Sequence, residues 1–296
     1  MARVLVGTAG GLLVLPGGAA ALEGDLTALA PGPDGWWALF ARREVWREGA
    51  GGWRRVAELP GPPGNCLLAD TEGAWVGTAE AHLVRVTDRG AEPVGAFEAV
   101  PGRGEWYTPW GGPPDVRSLA GPDGLLYANV HVGGIPRSSD GGGTWEPTIE
   151  VDADVHQVLA SPLPAGSVLA ATARGLAASG DGGASWRFET DGLHAVYCRA
   201  VAVVGGTVLL TASRGPRGGE AALYRRPLDG GPFERCREGL PGWFAGNLDT
   251  HRLHAAGGLA ALGTPDGRVL VSGDEGGSWR ALASGLPPIR CVAVDG

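Results

Sequence analysis

An all-β, seven-bladed propeller spanning residues 1–296 as one domain is the fold this sequence predicts, with six blades as the alternative. Three observations predict it. A turn signature, S-x-D-x-G-x-x-W, occurs three times. A short apolar segment of the form x-x-x-Ala recurs seven times, at spacings of 39, 51, 40, 42, 53 and 38 residues. The composition holds 53 Gly and 23 Pro in 296 residues, with no run that reads as a long amphipathic helix.

The turn signature reads Ser138-Ser-Asp140-Gly-Gly142-Gly-Thr-Trp145, then Ser179-Gly-Asp181-Gly-Gly183-Ala-Ser-Trp186, then Ser272-Gly-Asp274-Glu-Gly276-Gly-Ser-Trp279. Looser copies stand at Glu48 to Trp53 and at Leu228 to Phe233. Asp and Ser side chains can bond nearby backbone amides, Gly supplies a positive φ, and Trp fills space beside the sheet. These Asp residues are therefore expected to hold turns rather than to catalyse, and the loss of Asp140, Asp181 or Asp274 is expected to cost about 1–3 kcal/mol each if the lost bonds leave buried amides unpaired.

The seven apolar segments begin at Thr27, Cys66, Arg117, Gln157, Arg199, Arg252 and Arg290. A period near 40 residues is that of a four-stranded blade, so each segment reads as the first strand of one blade. The last of them sits at the C-terminus. Its expected partners are Arg3–Thr8 and residues 12–15, which joins both chain ends in one sheet and removes an open edge. A further repeat, Val6-Gly-Thr8, Val76-Gly-Thr78, Ala171-Thr172 and Leu262-Gly-Thr264, marks the end of the second strand; at this position the third blade carries His131.

The S-x-D-x-G-x-x-W pattern resembles the Asp-box, or BNR, repeat of sialidase-like propellers. Families with this repeat include sialidases, xyloglucan-type glycosidases, sortilin-like receptors and photosystem assembly factors. The chain resembles small bacterial YCF48- or BNR-like proteins. A sialidase-type site would need an arginine triad, a Tyr–Glu pair and an acid Asp, for which Tyr197, Glu105 and Asp115 are the candidates. The element Gly134-Ile-Pro-Arg137 lies mid-chain and departs from the sialidase Arg-Ile-Pro pattern. Fold does not imply function, so the activity is not carried over with the repeat.

The net charge of −8 opposes a nucleic-acid partner, whose phosphates need a basic face. No apolar run approaches the ~20 residues of a membrane span. The N-terminus reads as strand rather than as a signal peptide, and the four cysteines lack metal-ligand spacing. Buried free thiols in a cytoplasmic protein are the expectation.

The two long spacings mark insertions at residues 101–115 and 241–249. Both precede a first strand and so fall on the axial top face, opposite the Asp turns. Loops on a rigid scaffold are where function concentrates. His131, His156, His194 and His251 map to that face with Glu105, Asp115, Asp152, Asp154 and Asp249. Three chemistries fit. His131, His156 and His251 could bind a transition-metal ion, with Asp115, Asp154 and Asp249 as supporting partners, in a metal-dependent hydrolase or lyase. Arg117, Arg199, Arg252 and Arg290 could clamp a carboxylate or phosphate between Trp106, Tyr107, Trp110, Trp243 and His194. Glu105, Asp115 or Asp249 could act as general acid or base on a glycoside stacked on the tryptophans. The competing class is a non-catalytic propeller holding a protein partner on that face.

Overall fold

The computed structural model describes residues 3–18, 20–122, 124–160 and 164–295. They form seven four-stranded antiparallel sheets, each a propeller blade. Blade 1 is β4 (Leu26–Gly32), β5 (Gly35–Phe40), β6 (Glu44–Gly49) and β7 (Gly52–Glu58). Blade 2 is β8 (Gly64–Ala69), β9 (Ala74–Thr78), β10 (Leu83–Thr87) and β11 (Gly90–Pro93). Blade 3 is β12 (Val116–Ala120), β13 (Leu126–Val130), β14 (Pro136–Ser138) and β15 (Glu146–Pro147). Blade 4 is β16 (Val155–Ala160), β17 (Val168–Thr172), β18 (Gly175–Ser179) and β19 (Arg187–Glu189). Blade 5 is β20 (Tyr197–Val204), β21 (Thr207–Ser213), β22 (Ala222–Pro227) and β23 (Glu234–Arg235). Blade 6 is β24 (Leu253–Ala256), β25 (Leu259–Gly263), β26 (Val269–Ser272) and β27 (Arg280–Ala283). Blade 7 takes β28 (Ile289–Asp295) from the C-terminus and β1 (Arg3–Thr8), β2 (Gly11–Leu15) and β3 (Ala20–Glu23) from the N-terminus.

All seven repeated segments therefore lie in or at the start of first strands. The terminal pairing is the one expected: Val4 opposes Val294, Leu5 opposes Ala293, and Arg3 bonds Asp295 at 2.7 Å. Met1 and Ala2, part of the N-terminal run read as strand, lie outside the described residues. The contacts of the chain fall into two compact units. One is Met1–Leu26, Ala171–Leu176 and Phe188–Gly296; the other is Thr27–Ala170 and Ala177–Arg187. No helix among the described residues is long and apolar enough to cross a membrane.

The core lies between successive sheets. The recurrent glycine of Val-Gly-Thr permits this packing: a Cβ on Gly77 would stand 2.4 Å from Val116 Cγ1 and 2.6 Å from Cys66 Sγ. Two of the three turn tryptophans, Trp145 and Trp279, belong to the same layers. Trp145 packs edge-on against Phe97 of the preceding blade's connection (centroids 5.0 Å apart), and Trp279 joins a cluster with Leu209, Leu223 and Cys236. All four cysteines are free and buried. Burial raises each thiol, Cys66 and Cys291 to about 12 and Cys236 to about 11, so none presents a reactive thiolate.

The three S-x-D-x-G-x-x-W turns join third to fourth strands with one bonding pattern. In the first, Ser138 Oγ accepts the Gly142 amide (2.8 Å), Asp140 accepts the Thr144 amide (2.9 Å) and hydroxyl (2.7 Å), and Trp145 Nε1 donates to the Gly142 carbonyl (3.2 Å). Gly142 has φ +89°, and its Cβ would meet Trp75 at 2.5 Å. The expectation that Asp holds the buried amide is corrected here: the buried bond belongs to Ser138, whereas the Thr144 bonds to Asp140 are exposed. Ser138→Ala, Ser179→Ala and Ser272→Ala should each cost about 1–3 kcal/mol, because a buried amide loses its acceptor. Asp140→Ala should cost less. Urea denaturation of the paired variants checks the order, and a larger loss for the Asp variant would return the turn to the carboxylate.

Candidate functional site

In every blade the first strand starts, and the second ends, on the edge opposite the turn between the third and fourth strands; this is the top edge. Both insertions enter there. In blades 2, 4, 6 and 7 the recurrent Thr at the end of the second strand ties its own turn: Thr172 Oγ1 accepts the Arg174 amide (3.0 Å) and donates to the Gly175 carbonyl (2.9 Å). Blade 3 has His131 instead. Its amide donates to the Asp115 carbonyl (2.9 Å), and its ring is turned to another use.

That use is a cluster with blade 4. His131 Nε2 lies 2.9 Å from Asp154 Oδ1, and His156 Nε2 lies 3.5 Å from the same oxygen. The donor atoms of the three residues all fall within 4.8 Å of one another. His131 is 3 % exposed and His156 is 0 % exposed. The two rings stack at 6.0 Å, and Trp110 from the first insertion stacks on the outer side of His131 at 5.1 Å. Asp154 takes its position through a left-handed backbone (φ 48°) after the short 3-10 turn Val151–Ala153. Burial pushes the Asp154 carboxyl up, but the hydrogen bond from His131 and the charges of His156, His131 and Arg117 more than offset it, leaving the group below its ordinary value. The Tyr107 hydroxyl donates to Asp152, two residues before Asp154, at 3.0 Å.

His251 does not join this cluster. It precedes β24 with φ +70°, its carbonyl accepts the Val292 amide (2.8 Å), and its charge bears on His254. Asp154, weighed from sequence only as a supporting partner, is the member the two imidazoles share. Its signal was the D-x-H spacing to His156.

The arginines of blades 5, 6 and 7 form a second group. Arg199 in β20, Arg252 just before β24 and Arg290 in β28 occupy one register position of successive first strands. Asp249 lies between two of them, 3.4 Å from Arg199 Nη1 and 3.2 Å from Arg252 Nη1. Arg290 pairs with Asp25 at 2.5 Å. Burial lowers the Arg252 pKa, Asp249 opposes this, and the charges of Arg199 and Arg290 add to the lowering. The Nε atoms of Arg199 and Arg252 are buried with no hydrogen-bond partner among the described residues. The ring of Tyr197 lies under Arg199 at 5.2 Å.

The remaining candidates separate. His194 Nδ1 and the Tyr224 hydroxyl are 2.6 Å apart, and His194 also packs on Trp243 (4.9 Å), which carries the Arg235 guanidinium at 3.6 Å. Tyr224 and Arg235 were not singled out from sequence. Trp106 is structural in its contacts, lying against Phe97 and under Arg103. Glu105 is exposed at the end of the 3-10 turn Arg103–Glu105, and Asp115 is half-buried beside Val116.

The sequence matches no family model and no curated protein. Solved structures do match. The WD40 propeller domain of Doa1 is 16 % identical over 86 % of this chain and 81 % of its own, with a TM-score of 0.62. YCF48 bound to a D1 peptide is 15 % identical over 86 % and 81 %, with a TM-score of 0.56. A GH74 xyloglucanase from Xanthomonas campestris is 15 % identical, with a TM-score of 0.59, over 95 % of this chain but 47 % of its own. At such identity the likeness is one of fold: the chain is a seven-bladed propeller similar in fold to YCF48 and to part of the GH74 xyloglucanase.

Proposed function

We propose that the protein is a binding propeller that takes an anionic small ligand, a carboxylate or a phosphate, at Arg199, Arg252 and Arg290. The observation that carries this reading is the pair of buried Nε–H donors on Arg199 and Arg252 with no acceptor. Three guanidiniums stand there against two carboxylates, Asp249 and Asp25. A buried donor left unmade is costly, and an anion would relieve both it and the repulsion that bears on Arg252. Asp249 serves here as a counter-ion that sets the two guanidinium forks rather than as an acid.

Calorimetric titration with phosphate, acetate and citrate tests the reading. Citrate or phosphate should bind, more weakly as salt is raised, and Arg252→Gln should weaken binding by about tenfold or more, the loss of one charge-assisted bond. No binding at millimolar anion, or binding unchanged in an Arg199→Gln, Arg252→Gln double variant, would set the reading aside.

A second reading is a protein partner. Trp243 and Val196 are exposed apolar residues at 43 % and 44 %, Trp243 carries Arg235, and the similar YCF48 structure holds a peptide. Trp243→Ala should leave citrate binding intact and would weaken only a protein complex.

A further inference from the structure

We propose that His131, Asp154 and His156 bind a divalent transition-metal ion of the zinc class through two imidazoles and one carboxylate. The site shares no residue with the arginine group, so it stands or falls independently of the anion reading.

The geometry is already close to a coordination shell. Ligand atoms about 2 Å from a tetrahedral ion lie roughly 3.2–3.5 Å from one another. Here Asp154 Oδ1 is 2.9 Å from His131 Nε2 and 3.5 Å from His156 Nε2, and the full set of donors spans no more than 4.8 Å. The widest donor separation exceeds the tetrahedral value by at most about 1.3 Å, which an ion would draw in. Two imidazoles and a carboxylate match the nitrogen and oxygen preferences of zinc and its neighbours, and not those of calcium or magnesium.

The surroundings fit a held ion rather than a surface ion pair. Both imidazoles are buried, and the carboxylate reaches them from a chain held in a left-handed turn. Stacking fixes the rings: Trp110 lies on His131, and His131 lies on His156. His131 Nδ1 is also buried without a hydrogen-bond partner among the described residues, which leaves that imidazole under-used in a purely hydrogen-bonded role. Arg117 is the charge that counts against a cation, since it bears on Asp154. One carboxylate and one guanidinium leave the site near neutral, so neutral imidazoles must supply most of the affinity. Three protein ligands leave a position for water or for a ligand atom.

The test uses the full chain purified without a histidine tag or chelator. Elemental analysis should find about one zinc-class ion per chain, the stoichiometry of a three-ligand site. After chelator treatment, zinc should raise the thermal midpoint, since a ligand that binds only the folded state stabilises it. Cobalt(II) should give the visible spectrum of a nitrogen- and oxygen-ligated centre. Asp154→Asn should weaken cobalt binding by about 100-fold or more, beyond the ~10–100-fold typical of losing an outer-shell partner. His131→Gln, which keeps a planar polar group under Trp110, is the second variant if Asp154→Asn does not fold. Two results would overturn the proposal: a wild-type midpoint unmoved by zinc, cobalt and nickel, or a metal complement retained in a folded Asp154→Asn or His131→Gln variant.

Discussion

A chain lacking residues 289–296 is expected to lose its cooperative unfolding transition. Strand β28 supplies the first position of blade 7, and Ile289, Val292 and Val294 within it are no more than 3 % exposed. Full burial of each such side chain contributes about 1.5–3 kcal/mol, so these three alone approach the ~5–15 kcal/mol total stability of a typical domain. The loss does not stop at side chains. Five residues from Val4 to Thr8 pair with β28 and would become a bare strand edge. Gly7, which is glycine because a Cβ would stand 2.4 Å from Cys291 Sγ, would face a void. By contrast, removing only the Arg3–Asp295 pair, whose side chains are 36 % and 41 % exposed, should cost less than about 1 kcal/mol. Circular-dichroism melts of the truncated chain and of Asp295→Asn separate the two contributions. A truncated chain that melts at the parent's midpoint would exclude the closure as a source of stability.

Much of this architecture was legible because each blade repeats the same local demands. The x-x-x-Ala segments found all seven first strands, since a buried strand between two sheets selects small and branched apolar residues at fixed register. The arginine group was legible for the same reason: Arg199, Arg252 and Arg290 share one aligned position. The histidine cluster was legible only in part. His131 stood out because it replaces Thr, and His156 because it aligns with His251. Yet alignment places residues at equivalent positions of different blades, whereas the histidine cluster joins residues at different positions of touching blades. Hence His251, equivalent to His156, stays beside His254, and Asp154, which is equivalent to nothing, stands between the imidazoles. The degree to which Ser rather than Asp holds the buried amide of each turn was not readable either, because the sequence shows both hydroxyl and carboxylate but not which faces solvent.

Acidification should destabilise the protein in two separate steps, the first governed by His254. This residue lies in β24, and its Nδ1 accepts the Val294 amide of β28 at 3.1 Å, an acceptor role that a protonated Nδ1 cannot fill. Burial, with a smaller contribution from the His251 charge, lowers its pKa to about 4 from 6.5. Above pH 6.5 the folded and unfolded chains both hold it neutral, and its contribution is fully present. Between 6.5 and 4 the unfolded chain takes up a proton that the folded chain refuses, so stability falls with pH; below 4 that loss is complete. The residue keeps part of its surface toward solvent, so the loss is about 2 kcal/mol rather than the larger figure the full shift would imply. His194, also lowered chiefly by burial, acts in the same direction. The second step belongs to Asp140, Asp181 and Asp274. Hydrogen bonds from Thr144, Ser185 and Ser278 hold these carboxyls at about 2, so their contribution is present above 3.8 and is lost as pH falls toward 2. Thermal midpoints measured from pH 8 to pH 2.5 should therefore decline between 6.5 and 4 and again below 4. His254→Gln keeps an acceptor for the Val294 amide but does not titrate, and it should flatten most of the first decline while leaving the second unchanged. A His254→Gln profile that tracks the parent across pH 6.5 to 4 would show that the proton is taken up elsewhere.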